Sequence, residues 1–166
     1  MTERVKKAID IFLDAINNGT LAKGTCRACA CANLVAAELG VKCVLPESRQ
    51  VRESENITEE MHWFRAIKYY VPNRKEMITY HLDLEKGIET IHKTGFTVAE
   101  FKKIERAFES NTRFNYLDYT YQKPEAIRAD QINGLKAVVA VMLTFDDCKE
   151  SIEEVFTQKA ELIPIN

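Results

Sequence analysis

The chain has 166 residues, 46% of them hydrophobic and 29% charged, with a formal net charge of −2 and a pI near 6.0. These values suit one globular domain with a core large enough to fold without staples. They exclude the basic footprint by which a protein holds nucleic-acid phosphates.

No run reaches the ~18 consecutive apolar residues expected of a membrane-spanning helix. The longest candidate, residues 135–145, is too short. The opening stretch MTERVKKAIDIF mixes acids with bases in an amphipathic pattern, unlike an export signal. A cytoplasmic location is therefore expected, where thiols stay reduced. The five cysteines, an odd number, are then thiols, packing groups or metal ligands rather than disulfides.

Residues 3–17 predict a helix, with Val5, Ala8, Ile9, Phe12 and Ile16 at helical spacing, Thr2 as its cap and Asn18-Gly19 as its stop. A short loop follows. Thr25 is the expected cap of a second helix of small residues that ends at Gly40, with Arg27, Asn33 and Glu38 as its polar positions. Residues 41–45 read as a short strand or connector, and 47–56 as an exposed polar loop. Thr58 is a further cap candidate. Residues 61–70 and 77–84 fit helix or strand equally well.

Residues 96–110 carry the clearest local signal: Thr97 and Glu100 make a T-x-x-E capping box, with Phe96 and Phe101 placed for a hydrophobic staple. Residues 111–122 are aromatic and irregular. Tyr116, Tyr119 and Tyr121 with Phe114 suggest either core or a binding platform. Pro124 opens a long helix to Phe145 that buries Ile132, Leu135, Val138, Val139 and Met142. Asp146 or Asp147 is expected to cap a last helix through Ile152, Val155 and Phe156. No repeat or linker divides residues 1–166. The expected fold is mainly α, a compact domain of five to six helices with a small two-stranded β element; α+β is the alternative.

The chemistry concentrates at residues 25–40, where Cys26, Cys29 and Cys31 fall within six residues. Thiolates suit zinc or an iron–sulfur cluster. In a helix starting at Thr25, Cys26 and Cys29 lie about 60° apart, whereas Cys31 points roughly 160° from Cys29. Two cysteines can then share an ion, with Cys43 and His62 completing the set and His81 or His92 as substitutes. Zinc is the cofactor such a set would take. The same pair at a helix start suits thiol-redox chemistry. Alternatively, all three are core residues, since cysteine behaves as a small hydrophobe. His62-Trp63 and His81-x-Asp83 read either as catalytic or metal pairs or, more simply, as hydrogen-bonded core or surface residues. No nucleophile elbow, P-loop, H-E-x-x-H or Gly-rich dinucleotide turn is present.

The stretch NGTLAKGTCRACACAN, through Asn18, Leu21, Cys26, Cys29, Ala30 and Asn33, resembles small uncharacterised proteins of Bacteroidota and their phages with an N-G-T-L…C-x2-C-A-x-G-N motif. Ala32 stands at the motif's glycine. GFTVAEFKKIERAFE resembles a second segment of the same group. Such proteins are often assigned to a sodium-translocating NADH-quinone reductase, as its flavin-bearing component. That component has a plant-type ferredoxin centre and a flavin domain. This sequence has no C-x4-C-x2-C run and no dinucleotide turn. The resemblance implies a lineage rather than an activity. The expected role is a non-enzymatic binding or accessory protein of phage derivation with a protein partner, and the alternative is a metal-binding or thiol-redox protein.

Overall fold

The computed structural model describes residues 1–25, 27–45, 67–71, 76–80 and 83–159. Among these, six α-helices and one three-stranded sheet make a mainly α fold. The elements are α1 (Glu3–Asn17), α2 (Ala30–Glu38), β1 (Lys42–Cys43), β2 (Ile67–Val71), β3 (Glu76–Tyr80), α3 (Leu84–Lys93), α4 (Val98–Asn111), α5 (Pro124–Phe145) and α6 (Ile152–Gln158), with a 3-10 helix at Tyr116–Thr120 between α4 and α5.

Helix α1 forms as its periodicity predicts, with Val5, Ala8, Ile9, Phe12 and Ile16 buried. Thr2 precedes it but does not cap it. Its hydroxyl instead donates to Asp146 at 2.5 Å. Helix α4 carries the complete capping box. Thr97 Oγ1 accepts from Glu100 N–H at 3.2 Å, and Glu100 accepts from Thr97 N–H at 2.7 Å. The Phe96 and Phe101 rings lie 6.4 Å apart, as the staple requires.

Helix α5 starts at Pro124, whose missing N–H costs nothing in a first turn. It buries Leu135, Val138, Val139 and Met142, while Ile132 is partly covered. The α4–α5 contact is close at Gly134, where an added Cβ would fall 2.8 Å from the Phe108 ring. Helix α1 packs on both α2 and α5, and α2 reaches α3, α4 and β1.

Several expectations change. Of the ambiguous segments, residues 67–70 and 77–80 are strand, whereas Leu84 opens a helix. β2 pairs antiparallel with β3, Tyr69 opposite Ile78, and β1 adds a third strand where two were expected. Aromatic and β-branched residues favour that extended form. Residues 84–93, where no element was expected, form α3. Asp83 caps it by accepting from Lys86 N–H at 2.8 Å, and Leu84, Ile88 and Ile91 keep helical spacing around Gly87. The last helix is capped by Ser151 with Glu154, not by Asp146 or Asp147.

Asp146 is held elsewhere. It ends α5 and accepts from Arg4 Nε at 2.9 Å. Arg4 also donates to Glu100 at 3.0 Å and to Gly95 O at 2.6 Å, and stacks 4.8 Å from the Phe96 ring. One guanidinium thus joins the start of α1, the start of α4 and the end of α5. Hydrogen bonds from Arg4 and Thr2 hold the Asp146 carboxyl below its usual range. The loop expected at 47–56, the cap at Thr58, His62, His81 and the tail after Lys159 lie outside the described residues.

Candidate functional site

The cysteine region departs most from expectation. The second helix begins at Ala30, four residues later than a Thr25 cap requires. Thr25 is buried in the preceding loop, where its hydroxyl accepts from Arg27 N–H at 3.2 Å. Cys29 occupies the cap position, and its thiol sulfur accepts from Ala32 N–H at 3.4 Å. A 60° helical phase between Cys26 and Cys29 therefore does not apply, because Cys29 stands at the helix boundary. The far end is as expected, since Gly40 takes the left-handed conformation at φ +70°.

Cys31 is fully buried and donates its thiol hydrogen to Phe101 O at 3.2 Å, as a core residue. Cys43 is buried on β1, and that burial pushes its thiol well up from the ordinary range. Burial of this kind opposes the thiolate that a metal would need. Cys26 and His62 lie outside the described residues, and His92 is exposed on α3. Among the described residues, no three His, Cys, Asp or Glu side chains come together as a metal-ligand group.

The loop between α1 and α2 is pinned by distant side chains. Gly24 N–H donates to both Glu109 carboxylate oxygens, at 3.2 and 3.3 Å. Gln131 Nε2 donates to Leu21 O at 2.5 Å, and Tyr119 Oη to the same carbonyl at 3.4 Å. Lys23 Nζ donates to Thr112 O at 2.6 Å, and Lys23 O accepts from Tyr116 N–H at 3.1 Å. Gly24 is at φ +81°, and any Cβ there would strike the Asn115 side chain. Burial raises the Glu109 carboxyl and pushes the Tyr119 phenol up to about 12. The tyrosines divide their roles: Tyr116 is buried, Tyr119 braces the loop, and Tyr121 is 85% exposed.

Behind this loop, α1, α2 and the start of β1 enclose a groove of about 520 Å³, within the size range of ligand sites. Its floor is small and apolar, with Ala15, Ala36, Ala37 and Val41. Its rim carries both signs of charge. Lys6 pairs with Glu3, Lys7 with Glu38, Lys42 with Asp14, and Lys159 with Asp10.

Asn33 also lines the groove, 5% exposed. Its Nδ2 donates to Thr20 O, Ala28 O and Cys29 O at 2.9, 3.1 and 3.0 Å. Asn33 thereby holds the loop against α2, a role its expected place as a polar position did not reveal. The one sequence signal for the groove is the charged face of α1, where Lys6, Lys7, Asp10 and Asp14 recur at helical spacing.

Among the described residues, no helix is long and apolar enough to cross a membrane. No protein-family model, curated protein or solved structure matches this chain.

Proposed function

We propose that this chain is a non-enzymatic binding or accessory domain whose protein partner docks in the groove between α1 and α2. The observation that carries this is the groove itself: about 520 Å³, walled by two helices, with an alanine floor and a buried asparagine. The net charge of −2 favours a protein partner over nucleic acid. The lineage implied by the N-G-T-L…C-x2-C resemblance, Bacteroidota and their phages, fits an accessory role. The test is site-specific photocrosslinking in the native cell. A photoreactive residue at Lys7 or Lys42 should yield a protein adduct, and one at exposed Leu117 should not. No adduct from either groove position, or substrate turnover by the purified chain in a hydrolase and reductase screen, would sink the proposal.

A metal or thiol-redox role has one observation in its favour. Cys29 sits at the start of α2 with its sulfur on Ala32 N–H, and Cys26 precedes it by three residues. A helix start stabilises a thiolate, the form that zinc, an iron–sulfur cluster or thiol–disulfide exchange requires. Elemental analysis of the purified chain separates the two roles. Metal near one ion per chain, lost in Cys29→Ser, would replace the docking proposal.

A further inference from the structure

The sequence holds two Asn-Gly pairs, Asn18-Gly19 and Asn133-Gly134. Such a pair has a chemistry of its own, because glycine carries no side chain to shield its backbone nitrogen. A base takes the Gly N–H proton, and the nitrogen bonds to Cγ of the preceding Asn. The Cγ–Nδ2 bond breaks and the side-chain nitrogen leaves as ammonia. Water then opens the resulting succinimide ring. Opening at Cγ gives aspartate. Opening at the main-chain carbonyl gives isoaspartate, in which the backbone runs through the side-chain carbons. Either product carries a new carboxylate. The ring closes only if the Gly nitrogen leaves its hydrogen bond and the Asn backbone turns, so the fold decides which pair reacts.

The two pairs sit in opposite settings. Asn18 and Gly19 close α1, and both are exposed. Gly19 is at φ +68°, and nothing lies within 4 Å of where its Cβ would be. Its N–H donates to Ile16 O at 3.1 Å and Thr20 N–H to Ala15 O at 2.8 Å, the paired bonds of a glycine-closed helix end. Asn18 Nδ2 donates to Asp14 O and Asp14 Oδ1 at 2.8 and 2.9 Å. All of these bonds belong to one last turn, which opens at small cost because helix ends fray. Asn133 and Gly134 lie in the interior of α5, where the Gly134 N–H is a rung of the helical ladder. Gly134 is buried against the Phe108 ring. Freeing it means unwinding a 22-residue helix that packs along α4.

We propose that Asn18 is a site of spontaneous deamidation in the folded protein, with isoaspartate among its products, while the fold protects Asn133. The new carboxylate lies beside Asp14, whose Oδ1 loses its donor, at a helix end where the dipole disfavours negative charge. The extra backbone carbon of isoaspartate moves Gly19 and Thr20 out of register with Ile16 and Ala15. Thr20 O accepts from Asn33 Nδ2 at 2.9 Å, so the disturbance passes into the loop before α2. This site stands independently of the docking groove.

The test incubates the purified full chain at mildly alkaline pH, in native buffer and in urea. Peptide mapping by mass spectrometry reads the amide-to-acid mass change at each pair. Methylation by a protein isoaspartyl methyltransferase scores isoaspartate. In native buffer Asn18 should convert at least about tenfold faster than Asn133, the factor set by roughly one hydrogen bond of extra opening cost. In urea the two rates should converge. Asn18→Gln, which cannot form the five-membered ring, should silence residue 18 and leave Asn133 unchanged. Asn18→Asp should speed hydrogen exchange at the Thr20 amide several-fold. A native Asn18 rate no higher than that of Asn133, or a ratio of rates that urea leaves unchanged, would overturn the proposal. So would conversion at residue 18 without methyl acceptance, or Thr20 exchange unmoved in Asn18→Asp.

Discussion

Helices α4 and α2 begin in opposite ways. The start of α4 is local: Thr97 and Glu100 satisfy each other's backbone donors, and Phe96 staples to Phe101, all within six residues. The start of α2 is tertiary. Its cap is a thiol, a weak acceptor, and its position is set by Asn33, which ties three carbonyls of the preceding loop to the helix. One helix start is written in adjacent residues, and the other is imposed by burial and by partners distant in the chain. Helices of the first kind tolerate changes elsewhere in the fold, whereas those of the second kind fail when a remote contact fails.

The largest expected effect separates the two directly. Asn33→Ala removes the side-chain donor to Thr20 O and loosens two further carbonyls. It should destabilise the chain by about 2–3 kcal/mol in urea unfolding, the scale of unsatisfied buried groups. Thr97→Ala deletes a cap and should cost about 1 kcal/mol. If the order were reversed, the contrast between the helix starts would collapse. Cys29→Ser keeps the cap geometry with a stronger acceptor in place of sulfur. The same measurement should find it within about 0.5 kcal/mol of the parent, since the helix is not held chiefly by its cap. A loss several times larger would assign the thiol a packing role that the hydroxyl cannot fill.

The smallest effect is read by its sign. Burial raises the Glu109 carboxyl above 4.5, against the opposing pull of Gly24 N–H and Lys23. In the window that begins at pH 4.5, the folded chain then holds more protons than the unfolded one, so stability falls as pH rises through it. Asp146 works the other way. Its carboxyl lies below 3.8, so its contribution is present above that pH and lost as pH falls further. Thermal midpoints across acidic pH should show both slopes. Glu109→Gln should flatten only the upper one, and an unchanged upper slope would remove Glu109 from the loop's anchoring set.

The same contrast explains what the sequence makes legible. Helices α1, α4 and α5 follow from periodicity, a capping box and a first-turn proline, all of which act between near neighbours. The start of α2 misleads because Thr25 has cap chemistry but is drawn into the buried loop, leaving Cys29 at the boundary. Asp146 likewise has cap chemistry, yet Arg4 claims it from the other end of the chain. Helix α3 escapes notice because Gly87 interrupts its pattern. Cys31 is readable as core because a small apolar helix has few other uses for a thiol. The groove is lined by segments far apart in the chain, from α1 to Lys159, so only its α1 wall leaves a trace in the sequence.

The pinned loop has a consequence for the order in which this protein is completed. Residues 21–24 are fixed by Glu109, Thr112 and Gln131, partners that lie 85 to 110 positions further along the chain. Contacts across such separations form late, because the intervening chain must first close. During synthesis the loop, with Cys29 and Cys31 behind it, emerges well before those partners. The thiols that end up sealed in the interior therefore spend the longest part of the chain's birth open to oxidants and stray metal ions. A reducing environment matters most to this protein before it has folded.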